Sequence, residues 1–171
     1  DNTTNTSEFN GLLTQFKADT GIIHVAGAVS TQANVVAELT KAVTAITPAM
    51  EDNDGIKVMV SRNIYNNYKL YLVSQGLVNG FGGNANANPL TFGDWDIVLA
   101  KGLPANTIVI AKRENLVLAT GLTADFNFIK LIDSDETQLD GKIKGTMVYN
   151  GGVGYYYSDE IVWYTTEAEP V

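Results

Sequence analysis

Apolar positions follow helical spacing in the first half of the chain and strand spacing in the second. Phe9, Leu12, Leu13 and Phe16 fall at i, i+3, i+4 and i+7. That stripe predicts a helix from a cap at Ser7 to about Asp19, stopped by Gly21. Val35, Val36, Leu39, Val43 and Ile46 predict a second helix over 32–46, ended by Pro48. Ser61 caps a third, running to about Ser74 and closed by Gly76. Its inner face is aromatic, with Ile64, Tyr65, Tyr68, Tyr71 and Leu72. Short β-prone runs predict strands at 22–25, 56–60, 95–100, 107–111 and 126–132. Residues 113–119 read as one helical turn or two. Runs 142–149 and 154–163 flank Asn150, Gly151 and Gly152, the signal of a hairpin. Residues 76–94 are a long loop rich in glycine and asparagine, and loops of that length are functional or mobile.

Helices before strands, rather than alternating with them, define an α+β chain. The expectation is helices of the first half packed on a mixed sheet, followed by a C-terminal β ribbon. The 171 residues form one domain over 7–165, with polar tails at 1–6 and 166–171. No internal repeat is present.

Composition narrows the function. Apolar residues make up 45% of the chain and charged residues 18%, enough for a genuine core. The formal net charge is -8, and the 11 basic residues are scattered along the sequence. Such a chain repels phosphate backbones and anionic membrane surfaces, so neither sequence-specific nucleic-acid binding nor membrane binding is expected. No apolar run reaches the ~18 residues of a membrane-spanning helix. There is no cysteine, hence no disulfide and no thiolate metal site. The tail Asp1-Asn2-Thr3-Thr4-Asn5-Thr6 lacks the basic and apolar regions of a signal peptide. It is expected to begin a processed or truncated piece of a longer chain. Its two matches to a glycosylation acceptor are of a kind that arises by chance in Asn/Thr-rich sequence.

Candidate chemistry dissolves on inspection. His24 is the sole histidine and sits between Ile23 and Val25, which marks a core or interface residue rather than a triad member. Asp52-Asn53-Asp54-Gly55 imitates part of a calcium loop. Met50 and Ser61 stand where the first and last acidic ligands belong, so it reads as a solvated turn. Gly80-Phe81-Gly82-Gly83 neither follows a strand nor opens a helix, as a dinucleotide fingerprint must. Asp94, Asp96, Asp133, Asp135 and Glu136 are acids at turns, with nothing to set two of them across a cleft. Lys112 and Arg113 beside Glu114 form a surface charge group without phosphate-loop context. No catalytic, cofactor or metal site is therefore assigned.

The order of elements resembles a known family. A helix, Gly21-Ile22-Ile23, the helix over 32–46, then Val58-Met59-Val60-Ser61 leading into a helix from Ile64 is similar to the tailed-bacteriophage major capsid protein of the Hong Kong 97 fold. A variable loop follows, then Ile97-Val98-Leu99-Ala100-Lys101-Gly102-Leu103-Pro104, Thr107-Ile108-Val109-Ile110-Ala111 and Arg113-Glu114-Asn115-Leu116. The closing segments Lys144-Gly145-Thr146-Met147, Gly154-Tyr155-Tyr156-Tyr157 and Glu160-Ile161-Val162-Trp163-Tyr164 are similar to that family's terminal strands. The likeness covers roughly 8–165. It departs in lacking the family's N-terminal arm, extended β loop and long spine helix.

The resemblance implies a non-enzymatic structural subunit that self-assembles into an icosahedral shell, a virion capsid assembled in the bacterial host cytoplasm. It implies an axial-type domain over about 26–125, with peripheral-type elements at 7–25 and 126–165. The partner is further copies of the same chain in the full-length parent, with a monomer as the alternative for this piece alone, and no cofactor is involved. Asn79, Phe81, Asn84, Asn86 and Asn88 of the long loop are the expected inter-subunit or axis-facing residues. Encapsulin shells share the fold and form an alternative. A carbohydrate- or surface-binding module of a secreted bacterial protein is another; it requires exposed aromatics forming a flat platform, whereas the capsid reading requires the helix over 61–74 to bury its tyrosine face. A hydrolase would need two carboxylates converging in a cleft.

Overall fold

The computed structural model describes residues 10–51, 55–76, 90–120, 128–133, 143–148 and 151–167. Four α-helices are described: α1 (Leu12–Ala18), α2 (Val35–Thr44), the single turn α3 (Pro48–Glu51) and α4 (Arg62–Ser74). Ten strands accompany them. These are β1 (Ile23–Ala26), β2 (Ile56–Val60), β3 (Leu90–Phe92), β4 (Trp95–Leu99), β5 (Ile108–Lys112), β6 (Leu116–Thr120), β7 (Phe128–Asp133), β8 (Ile143–Val148), β9 (Gly151–Tyr155) and β10 (Val162–Thr165). The α+β architecture with a mixed sheet and a ribbon follows the sequence pattern.

Six strands form one sheet in the order β1-β10-β5-β2-β4-β3. β1 runs parallel to β10 and β2 parallel to β4; β5 is antiparallel to both its neighbours. The sequence explains the layering. Along β2 the side chains Ile56, Val58 and Val60 are buried while Lys57 and Met59 between them are not, the period of two that sends alternate residues to opposite faces. From Ile108 to Ala111 β5 is apolar and buried on both faces, as a central strand requires, and only Lys112 at its end is charged.

On one face the sheet packs Val58, Ile97, Ile108, Ile110, Val162 and Tyr164 against α2, α3 and α4. Val35, Leu39 and Ala42 come from α2, Met50 from α3, and Ile64 and Tyr68 from α4. On the other face Val109, Ala111 and Trp163 meet Phe16 of α1 and Ile22. Each fully buried aliphatic side chain contributes about 1.5–3 kcal/mol relative to exposure, so the larger cluster holds α2 and α4 in place.

The last six strands pair from the inside out. β7 pairs with β8, β6 with β9 and β5 with β10, all antiparallel. This nested pairing replaces the hairpin expected between 142–149 and 154–163. Gly151 and Gly152, assigned to that turn, lie in β9 opposite Thr120 and Ala119. The turn signal is local, and β8 and β9 each found a more distant strand. The helix expected at 113–119 shrinks to a 3₁₀ turn, Arg113–Asn115, before β6. Leu116, Val117 and Leu118 suit a strand as well as a helix, and the β9 ladder satisfies their backbone.

Helix boundaries shift for identifiable reasons. Pro48 follows α2, which ends at Thr44, and also opens α3, where a first-turn proline loses no intrahelical hydrogen bond. Ser61 precedes α4 as expected, but its hydroxyl donates to the Asn63 side chain at 2.6 Å instead of capping the helix. Gly76 closes α4 with φ +70, a left-handed turn that a residue with a Cβ adopts only at a cost. The expected start of α1 at Ser7, the acidic turn at 52–54 and most of the long loop lie outside the described residues.

Candidate functional site

Of the places where the sequence offers chemistry, His24, Asp94, Asp96, Lys112 and Arg113 lie among the described residues, while 52–54, 80–83 and 135–136 lie outside them. His24 lies half-buried on the edge strand β1, its ring edge-on to Trp163 at 5.0 Å between centroids. Its Nε2 is 3.3 Å from the carbonyl of Asp19. An open hollow of about 550 Å³ adjoins it, lined also by Thr40, Lys41 and Thr44. Those neighbours are engaged: Thr40 donates to Val36 O at 2.7 Å, Thr44 to Thr40 O at 2.6 Å, and Lys41 pairs with Glu38. None offers His24 a nucleophile to activate. Asp96 pairs with Lys57 across β2 and β4, and Asp94 is exposed in the turn before it. Among the described residues no group of three or more His, Asp or Glu could hold a metal, and no helix is long and apolar enough to cross a membrane.

The aromatic helix turns inward. Tyr68 is 6% exposed and donates to Thr91 O at 2.8 Å, with Phe92 edge-on at 5.9 Å. Burial, then the neighbouring Tyr71, pushes the Tyr68 phenol above its ordinary value. Tyr65 and Tyr71 pack against the same core. This is the face that a ligand-stacking module would have left open.

Two polar constructions tie distant segments together. In the first, Tyr164 on β10 donates to Glu38 of α2 at 2.5 Å and accepts from Ala28 N at 3.0 Å. Glu38 is 5% exposed. Burial alone would raise its carboxyl, but the Tyr164 hydroxyl, the Lys41 ammonium at 2.9 Å and the Ala28 amide outweigh burial and hold it below the usual range. Burial and the facing carboxylate push the Tyr164 phenol upward. Gly27 is obligatory here, because a Cβ on it would fall 2.1 Å from the Tyr164 ring.

The second construction is the root of the ribbon, where β5/β10 pairing gives way to β6/β9. The 3₁₀ turns Arg113–Asn115 and Ser158–Glu160 interrupt the ladder and leave backbone groups without strand partners. Asn115, 3% exposed, replaces the ladder: its Oδ1 accepts from Tyr156 N at 3.0 Å and Tyr157 N at 2.8 Å, and its Nδ2 donates to Tyr157 O at 2.7 Å. A buried amide can do this because it carries both acceptor and donors. Lys112 and Glu160 pair at 3.6 Å alongside. From α1, Gln15 donates to Val153 O at 2.8 Å and Phe16 meets the Tyr155 ring at 5.5 Å. Tyr155 in turn donates to Asp19 at 2.6 Å. That hydroxyl and the Gly21 amide hold the Asp19 carboxyl below its ordinary value, while burial and Asp19 push the Tyr155 phenol to about 12. Sequence reasoning missed both constructions, since Glu38 and Tyr164 stand 126 residues apart.

A sheet covered by helices, with a nested antiparallel ribbon running out of it, defines a phage major-capsid-like fold. No family model matches the sequence, and no curated protein does. Solved structures share its fold. A chain of the satellite phage P4 procapsid including size determination (Sid) protein superposes with a TM-score of 0.60 at 12% identity, covering 92% of this chain and 52% of that one. A Mycobacterium phage Che8 chain gives 0.63 at 12% identity, covering 90% and 57%. A virus-like particle from Pyrococcus furiosus gives 0.54 at 11%, covering 90% and 59%. This chain thus spans a little more than half the length of the structures it resembles.

Proposed function

We propose that this chain is a structural subunit of a phage-type capsid, working by packing against copies of itself. The observation that carries the reading is the fold likeness over nine-tenths of the chain. The two polar constructions support it, for they spend the buried Glu38 and Asn115 on fixing α2 and the ribbon to the sheet. In this reading 26–125 is the axial-type unit, the assembled location is the virion capsid, and assembly takes place in the host cytoplasm. The segment that leaves Gly76 after α4 and returns to β3 at Leu90 brings Asn79, Phe81, Asn84, Asn86 and Asn88 to an inter-subunit contact or an axis. The net charge of -8 suits a shell that does not grip packaged nucleic acid. No catalytic role is assigned to any residue.

Electron microscopy and sedimentation of the full-length protein over a range of salt and concentration test this. Rings, capsomers or closed shells are expected. A monodisperse monomer under every condition overturns it. One feature favours a second reading, a surface-binding module: Tyr156 and Tyr157 are adjacent and 70% and 63% exposed. A glycan array with saturable binding lost in Tyr156→Ala would select that reading.

A further inference from the structure

Helix α4 breaks the charge pattern of the chain. The sequence holds nineteen acids and eleven cations, yet α4 carries two of the cations and none of the acids. Arg62 and Lys69 are both exposed, and among the described residues neither has an ion-pair partner. At about 100° per residue, Arg62, Asn66, Lys69 and Val73 fall on one outward stripe. Leu70, 51% exposed, flanks it.

The flank is built, not incidental. Asn67 donates to Ser30 O at 2.9 Å and Gln32 to Leu70 O at 3.4 Å, which seats the connection after β1 along this side of α4. That connection presents Val29, 64% exposed. Asn63 and Asn106 fix the other end: Asn63 donates to Asn106 Oδ1 at 2.5 Å, and Asn106 N donates back to Asn63 Oδ1 at 3.0 Å. The pair holds Asn106 at φ 58, a left-handed conformation that asparagine tolerates better than most residues. The result is a held surface with two cations beside two exposed aliphatic side chains.

A complementary surface exists on the same chain. At the ribbon root Glu114 and Asp159 are exposed beside Tyr156 and Tyr157, with Arg113 the neighbouring cation. Glu114 and Asp159 have no ion-pair partner among the described residues. We propose that the outward face of α4 is a contact for a second copy of this chain, which it meets at the Glu114–Asp159 ribbon root. Charge pairing orients the two surfaces, and the tyrosine rings receive Arg62 and the aliphatic side chains. Because the two faces differ, the contact is head-to-tail, and repetition closes a ring where the rotation per copy divides a full turn and otherwise extends as a filament. A phosphate backbone is the poorer occupant, since two cations bordered by Leu70 and Val29 give it few partners and an apolar rim.

The inference rests on the capsid reading, and the test separates the two. Zero-length carboxyl–amine cross-linking of assembled protein, mixed from isotopically light and heavy copies, should join Lys69 of one copy to Glu114 or Asp159 of another. The double variant Arg62→Glu, Lys69→Glu should need about a tenfold higher concentration to assemble, the scale of losing rim charge pairs. Its circular dichroism should match the parent, since both positions are exposed. Combining it with Glu114→Lys and Asp159→Lys in one chain should restore assembly. Assembly indifferent to the double variant, or failure of the four-fold variant to recover, overturns the contact while leaving the capsid reading standing. Reduced nucleic-acid retention with unchanged assembly also overturns it, giving the face to nucleic acid. Absence of any assembly by the parent protein overturns both.

Discussion

Two tyrosines clasp two carboxylates in this molecule, and the clasps sit in different surroundings. Tyr164–Glu38, at 2.5 Å, is sealed between α2 and the sheet. Tyr155–Asp19, at 2.6 Å, is half-exposed where α1 meets the ribbon. The chemistry is the same in both, with the phenol raised and the carboxyl lowered. What differs is the consequence of loss. In the core, a carboxylate deprived of its donor cannot turn to water. At the ribbon root, water replaces the phenol. The first clasp belongs to the fold itself, and the second sets how firmly one part of the fold is held to another.

The largest expected effect follows from breaking the buried clasp. Tyr164→Phe removes the donor to Glu38 and the acceptor of Ala28 N, and should cost about 2–3 kcal/mol. In a domain of this size that lowers Tm by about 5–10 °C in a calorimetric scan. A change below the scatter of the measurement would show that Lys41 and the Ala28 amide satisfy Glu38 unaided. Tyr155→Phe should cost less, about 0.5–1.5 kcal/mol. Its signature is local: faster amide exchange in β6 and β9 with little change in β2 and β5. Uniform acceleration through the main sheet would erase the distinction between the two regions.

The smallest effect is on pH dependence. Both carboxyls have folded values below their unfolded ones, so their stabilisation is full above about pH 4 and fades as pH falls through the folded values. Both phenols are raised, so theirs is full below about pH 10 and fades as pH rises. For Tyr155 the fading ends near pH 12. Urea midpoints taken from pH 10 to 12 should fall less steeply in Tyr155→Phe than in the parent. Equal slopes would mean the phenol at the ribbon root is not linked to folding.

Much of the framework was legible because it is written locally. The α4 stripe, with Gly76 closing it, reads directly as a helix that buries one face. The alternation of β2 and the unbroken apolar run of β5 announce one strand buried by its alternate residues and one buried on both sides. What stayed hidden depends on partners far along the chain. Gly151 and Gly152 carry a strong turn signal yet serve in β9, because β6 supplies a ladder that the turn signal cannot anticipate. Leu116, Val117 and Leu118 suit either state, and only β9 decides between them. Asn115 and Glu38 look like ordinary surface residues in sequence; their roles arise from backbone groups and a phenol more than 40 residues distant. For the loop residues Asn79 to Asn88, the sequence offers composition alone, and a contact surface is a matter of shape.

The position of β10 has one more consequence. It lies between β1 and β5, so the strand made late in synthesis occupies the interior of the sheet while β1, made early, waits at the edge. Until residues 162–165 emerge, β1 has no neighbour and Tyr164 is not there to receive Glu38. Pairings of such long sequence separation form slowly and last. A ribosome that stalls before that strand therefore releases a chain that cannot close its sheet. The order of synthesis acts as a proofreader, closing the sheet only in copies that were translated through β10.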